Sequence, residues 1–192
     1  MNQRKTTTSD LTTKSIGIDT RIVAIDPGTK HMGFAAFEGN ILVDYGVKTI
    51  RQGSEEVILG HLEEIISRLI IEKRPDYLVL ERNSFSQITQ NFRLMLAISR
   101  MKHIARKHGV LVHEYSPRTV RKVICNDGNA SKIRVAQTTV TLIEELRVFL
   151  QTDKAWVLRY NLNLLDAVAI GVTFILKHFS AYRTDKSRLS VL

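Results

Sequence analysis

The sequence predicts an α/β fold, a mixed five-stranded sheet with helices on both faces, and three observations carry that expectation. Three short runs rich in β-branched residues follow one another between residues 22 and 50 with only turns between them, the pattern of an antiparallel meander. Strand-like and helical segments then alternate, as parallel strands joined by helical crossovers require. The helical segments repeat apolar residues at spacings of three and four, so each has one face to bury against a sheet.

Ile22 to Asp26 is the first strand, closed by Asp26-Pro27-Gly28-Thr29, and His31 to Phe37 and Ile41 to Ile50 are the next two, separated by Glu38-Gly39-Asn40. From Ile58 the residues Ile58, Leu62, Ile65, Ile66, Leu69 and Ile70 keep helical spacing until Arg74-Pro75 ends the pattern. Tyr77 to Leu80 is a wholly apolar strand that ends at Glu81. A second helix runs from about Gln90 to His108, with Leu94, Ala97, Ile98, Met101 and Ala105 inward and Gly109 as its terminator. Val110 to Tyr115 is the fifth strand. Ser116-Pro117 then offers a capping hydroxyl and a proline at the first helical position, which starts a helix over Arg118 to Ile124. After the turn Asn126-Asp127-Gly128-Asn129, Ser131 to about Leu150 reads as one amphipathic helix and Gln151 to Arg159 as ambiguous. Asn161 to Phe179 is the last helix, with Leu165, Val168, Ala169, Val172 and Leu176 inward. The chain therefore divides into an N-terminal tail expected to be flexible (1–20), one domain (21–180) and a basic C-terminal tail (181–192).

Composition narrows the function. At 192 residues, 44% hydrophobic and 24% charged, the chain has the mixture of one ordinary globular domain. Its longest apolar stretch, Ala167 to Leu176, is interrupted by Gly171 and Thr173 and falls far short of the ~18 residues of a membrane span, so no membrane partner is expected. The single cysteine, Cys125, excludes a disulfide scaffold and a cysteine-built zinc cage, and the first residues lack the apolar core of a secretory signal. An intracellular, reducing setting follows, cytoplasm or nucleoid, with an organelle or a viral source left open. The formal charge is +9 and the pI near 9.8. Ten basic residues lie between Asn91 and Val135 against only Glu114 and Asp127. Like charge so concentrated repels itself unless a polyanion neutralises it, which makes nucleic acid the leading partner over a merely solubilising face.

Three acids stand where charge is costly. Asp26 and Glu81 each end an apolar strand, and Asp166 lies between Leu165 and Ala167 in the apolar last helix. Each has an ordinary structural reading as well: an Asx turn for Asp26, a salt bridge to Arg82 or another base for Glu81, the margin of a buried face for Asp166. Two strand ends of one sheet and a helix packed on it can nonetheless converge, and such a cluster of hard oxygens suits Mg²⁺ or Mn²⁺. Two such ions about 3.5 to 4 Å apart activate a water and stabilise the leaving oxygen in phosphodiester hydrolysis.

Ile22-Val23-Ala24-Ile25-Asp26-Pro27-Gly28-Thr29, the later Gly33, Leu80-Glu81 and Asp166-Ala167-Val168-Ala169-Ile170-Gly171, in that order over residues 22–176, resemble the RuvC-type Holliday-junction resolvases of the ribonuclease-H-like nuclease superfamily. The resemblance implies a ribonuclease-H-like fold, a homodimer that nicks opposed strands of four-way junction DNA in recombination and repair, and acidic residues that hold Mg²⁺. Branch-migration machinery is a possible partner. His113 to Lys132 is similar to the family segment in which two basic residues eleven positions apart lie near the active site, here Arg121 and Lys132, which implies that both meet the scissile phosphate region. Lys122 or Arg118 can stand in the place given to Arg121, and all four are candidate DNA-binding residues. Phe85, in the polar loop four residues after Glu81, either stacks on an unpaired base or folds back onto the following helix.

One position departs from the family pattern. Three residues before the last Asp, where the family has an acid or a histidine, this chain has Asn163. Residues i and i+3 share a helix face, so Asn163 and Asp166 can address one ion, the amide as the weaker ligand. The expected metal set is Asp26, Glu81, Asn163 and Asp166, with Asp26, Glu81, Asp166 and Lys132 as the catalytic set. A junction-binding architectural protein with weakened chemistry and another ribonuclease-H-like nuclease are the competing readings.

Overall fold

The computed structural model describes residues 16–82, 92–149 and 161–178. Strands β1 (Arg21–Asp26), β2 (His31–Glu38) and β3 (Ile41–Thr49) are followed by α1 (Glu55–Lys73), β4 (Tyr77–Glu81), α2 (Phe92–Lys107) and β5 (Leu111–Tyr115). Then come α3 (Pro117–Cys125), α4 (Lys132–Leu142), a 3₁₀ helix (Glu144–Phe149) and α5 (Leu162–His178). The sheet order is β3-β2-β1-β4-β5. β1, β2 and β3 pair antiparallel, whereas β1 with β4 and β4 with β5 pair parallel. The mixed five-stranded sheet expected from the sequence is thus formed, and β1 lies at its centre.

Side chains alternate across the sheet and build two cores. Val23, Ile25, Leu78 and Leu80 pack with α1 and α2 on one face. Ile22, Ala24, Tyr77 and Val79 pack with α3, α4 and α5 on the other. α5 is apolar nearly all round, because it is covered by the sheet on one side and by α3 and α4 on the other. The capping signals act as read: Ser116 Oγ accepts from the Thr119 N–H at 3.1 Å with Pro117 opening α3, and Arg74, with φ of 45°, ends α1 in the left-handed region.

One expected element is corrected. The single helix from Ser131 to about Leu150 is two pieces, because α4 ends at Leu142 and Ile143 turns extended. The cause is in the run Thr138-Thr139-Val140-Thr141, where β-branching lowers helix propensity and hydroxyls bond back to preceding carbonyls, Thr139 to Val135 at 2.8 Å and Thr138 to Arg134 at 2.9 Å. The break lets Ile143 and Leu146 both reach the core.

Candidate active site

Parallel pairing of β1 with β4 sets Ile25 opposite Leu80, so Asp26 and Glu81, the last residues of the two strands, end side by side. Strand alternation places both with Ile22, Ala24, Tyr77 and Val79, on the face that α5 covers. α5 brings Asp166 there, and its first turn is held against the sheet by a glycine. A Cβ on Gly33 would overlap the main-chain carbonyl of Asn163, and Gly33 is the residue that pairs with Asp26 across β1 and β2. Gly28 is required for a related reason: a Cβ there would collide with the His31 carbonyl across the tight turn that follows Asp26.

The three carboxylates feel one another. The Asp26 carboxyl is held well above the usual carboxylate range, first because burial removes water, then because Asp166 and Glu81 add like charge. Burial also raises Glu81, with Asp166 adding to it, and raises Asp166 against the pull of Lys132. Lys132, the first residue of α4, reaches across to Asp166 with Nζ 3.1 Å from Oδ2. Burial works against its charge, yet Asp166, Asp26 and Glu81 together outweigh burial and raise it above the ordinary lysine range.

The basic residues proposed from sequence differ in their surroundings. Arg121 is the guanidinium whose charge lowers both Glu81 and Asp166, and the cations acting on Glu81 are Lys132 and Arg121. Lys122 donates to the Asn126 carbonyl at 3.0 Å and closes the end of α3. The stem of Arg118 lies against Gly128. Asp26, Glu81, Asp166, Lys132 and Arg121 are therefore brought together, with Asn163 one turn before Asp166 on α5. Phe85 falls outside the described residues, as do the tail residues 1–15 and 179–192 and the ambiguous stretch Gln151 to Arg159. Sequence reasoning missed Gln52, whose side-chain amide donates at 3.0 Å to the Thr29 carbonyl of the turn after Asp26, because no local pattern marks a bond between residues so far apart.

The donor set fits a hard divalent cation. Three carboxylates share a partly dehydrated site in which burial raises all of them and Lys132 and Arg121 are the opposing charges, so added positive charge would favour their ionised forms. Among the described residues no three acidic, histidine or cysteine side chains stand close enough to hold an ion as they are.

A protein-family model described as crossover junction endodeoxyribonuclease RuvC matches residues 22–174. A relative of that name from Akkermansia muciniphila is 32% identical over 161 residues, which cover 81% of this chain and 90% of the relative. Among solved structures, Thermus thermophilus RuvC superposes with a TM-score of 0.62 at 22% identity, over 82% of this chain and 95% of that one. A complex of the same protein with Holliday junction substrate gives 0.62 at 20% identity, over 84% and 96% of the two chains. At these identities the two structures speak for the fold.

Proposed function

Because the chain belongs to the RuvC family of crossover junction endodeoxyribonucleases, metal-dependent nucleases of DNA recombination and repair, we propose how its own residues bind and cut a four-way junction. Asp26, Glu81 and Asp166 hold Mg²⁺, with Mn²⁺ as substitute, as a pair of ions to which Asn163 lends an amide oxygen. Bound there, the metal supplies an activated water and neutralises charge on the phosphate and the leaving oxygen. Water forms the new bond to phosphorus as the bond to the displaced sugar oxygen breaks, and no covalent protein intermediate forms. Lys132, anchored on Asp166, and Arg121 orient the scissile phosphate and offset its developing negative charge. Arg118 and Lys122, on the same helix as Arg121, hold the neighbouring backbone, and Phe85 stacks on a base opened at the junction centre.

Two symmetry-related strands call for two sites, and a two-fold homodimer supplies them. Its contact is assigned to the face of α1 and α2, where Phe92 is 60% exposed, Val57 is 40% exposed and a groove of about 490 Å³ is lined by Leu59, Gly60, Leu96 and Ser99 together with Glu56, Arg100 and His103. The enzyme works where the junction is, within the cell, alone or with branch-migration machinery. Among the described residues no helix is long and apolar enough to cross a membrane.

The observation that carries the reading is the meeting of Asp26, Glu81 and Asp166 around Lys132. The test is nicking of a synthetic mobile four-way junction and a matching linear duplex, with Mg²⁺ or EDTA, by wild type and Asp26→Asn. Paired Mg²⁺-dependent cuts on the junction alone, absent in the variant, are expected. Tight binding without cuts would favour the architectural reading and mark Asn163 as the lesion.

A further inference from the structure

The turn that carries Asp26 is fixed from two sides. Within itself, Pro27 sets one backbone angle and Gly28 allows the His31 carbonyl to approach where any Cβ would clash. Its outer end is tied to the connection between β3 and α1. The Ile50 N–H donates to the Lys30 carbonyl at 2.8 Å. The side-chain amide of Gln52 donates to the Thr29 carbonyl at 3.0 Å and to the Ile50 carbonyl at 2.8 Å, so one NH₂ group links the two segments. The connection is itself anchored on α1, where His61 Nδ1 accepts the Arg51 N–H at 2.8 Å. That bond requires an unprotonated Nδ1 and so fixes the imidazole as the tautomer with its proton on Nε2.

We infer that Gln52, steadied by His61 through Arg51, is a positioning residue that holds the Asp26 turn in place beside Glu81 at the end of β4. Gln52 is exposed, and a single hydrogen bond in contact with water adds little to global stability. Two donor bonds from one side chain to two carbonyls of different segments, by contrast, restrict where the turn can sit. That restriction is useful because Asp26 ends β1 directly before the turn and beside Glu81, so where the turn sits decides where its carboxylate stands. The brace is thus a device for fixing the Asp26 end of the site before metal arrives. This role rests on the functional reading above, and its test is separable from it.

Gln52→Met keeps the length and neutrality of the side chain and removes the donor. His61→Leu removes the acceptor of the second link, and His61→Asn restores an acceptor oxygen near the place of Nδ1. Hydrogen exchange of a peptide covering residues 24–32 is measured by mass spectrometry in metal-free protein. Single-turnover nicking is titrated with Mg²⁺, and junction affinity is taken in EDTA. Gln52→Met and His61→Leu are expected to exchange about three- to tenfold faster and to need a similarly larger Mg²⁺ concentration for half-maximal rate, the scale of one lost hydrogen bond. His61→Asn should return toward wild type, and junction affinity in EDTA should stay unchanged throughout. Wild-type exchange in Gln52→Met, or a change confined to junction affinity, would overturn the brace. Failure of the wild type to nick would instead sink the functional reading, while the exchange data still decide whether the turn is braced.

Discussion

Asp26 stands at the end of β1 with its carboxyl held well above the usual range, first by burial and then by the charges of Asp166 and Glu81. It was legible because a charge closing an apolar strand before Pro-Gly is costly without a partner, and Glu81 and Asp166 were legible for the same reason. Lys132 and Arg121 came from the family resemblance rather than from a local residue pattern, because the bond from Lys132 to Asp166 joins α4 to α5. The raised carboxyl of Asp26 has a definite thermodynamic sign. A group that binds its proton more tightly when folded lends stability fully below its unfolded pKa and loses it as pH rises through the folded value. Metal-free protein should therefore weaken as pH climbs above the ordinary carboxylate range, and Asp26→Asn should raise its Tm at pH 7 by about 2–4 °C for each kcal/mol of repulsion relieved. Thermal scans in EDTA between pH 4 and pH 8 check this, and an unchanged or lower Tm for the variant would contradict it. Asn163→Asp moves the other way, since a fourth carboxylate should lower the metal-free Tm while reducing the Mg²⁺ needed for half-maximal nicking. A titration that shows no change in the Mg²⁺ requirement would remove Asn163 from the metal site.

Elements, rather than single residues, decide whether the acids meet. Strand and helix order could be read because the periods of two and near four are distinct, and because Ser116-Pro117 and Arg74-Pro75 punctuate the chain. The break at Ile143 could not be read from periodicity, since the apolar spacing continues through it and masks the threonine run that weakens the end of α4. Nor did periodicity reveal the seating of α5 on β2 at Gly33. Two glycine substitutions separate packing from propensity. Gly33→Ala places a methyl group on the Asn163 carbonyl, which must push the first turn of α5 away from Asp26. A loss of about 1–3 kcal/mol is expected from the overpacking, with nicking reduced further than stability because Asn163 and Asp166 move with the helix. Gly60→Ala, in an exposed turn of α1 with open space where its Cβ would lie, should instead stabilise the fold by roughly 0.5–1 kcal/mol. Urea melts of both variants beside their nicking rates give the test, and equal effects on the two glycines would discount the seating argument.

At the scale of the molecule, the charge that first pointed to nucleic acid is partly used within the fold. Arg100 pairs with Glu63 at 2.7 Å, Lys102 with Glu114 at 3.2 Å and Arg134 with Asp127 at 3.1 Å. Composition could not show this, because ion-pair partners come from other elements. Arg118, Arg121, Lys122 and Lys132, the last paired with Asp166, are the residues proposed to meet a junction around the acid site, so Arg121→Ala should flatten the slope of log affinity against log salt by about 0.9 while Arg100→Ala leaves it unchanged. The acids open on the α5 face and the groove between α1 and α2 lies on the opposite face. A two-fold built on that groove leaves both acid sites facing outward, as cutting two strands demands. Leu96 lines the groove and is half-buried, so Leu96→Glu is tolerable in a folded monomer but sets two like charges together at the two-fold. Light scattering should then fall from twice 21.9 kDa to 21.9 kDa, and paired nicks should become single, uncoordinated ones while metal-free Tm changes little. Paired cutting by a Leu96→Glu protein of undiminished mass would move the dimer contact to another face.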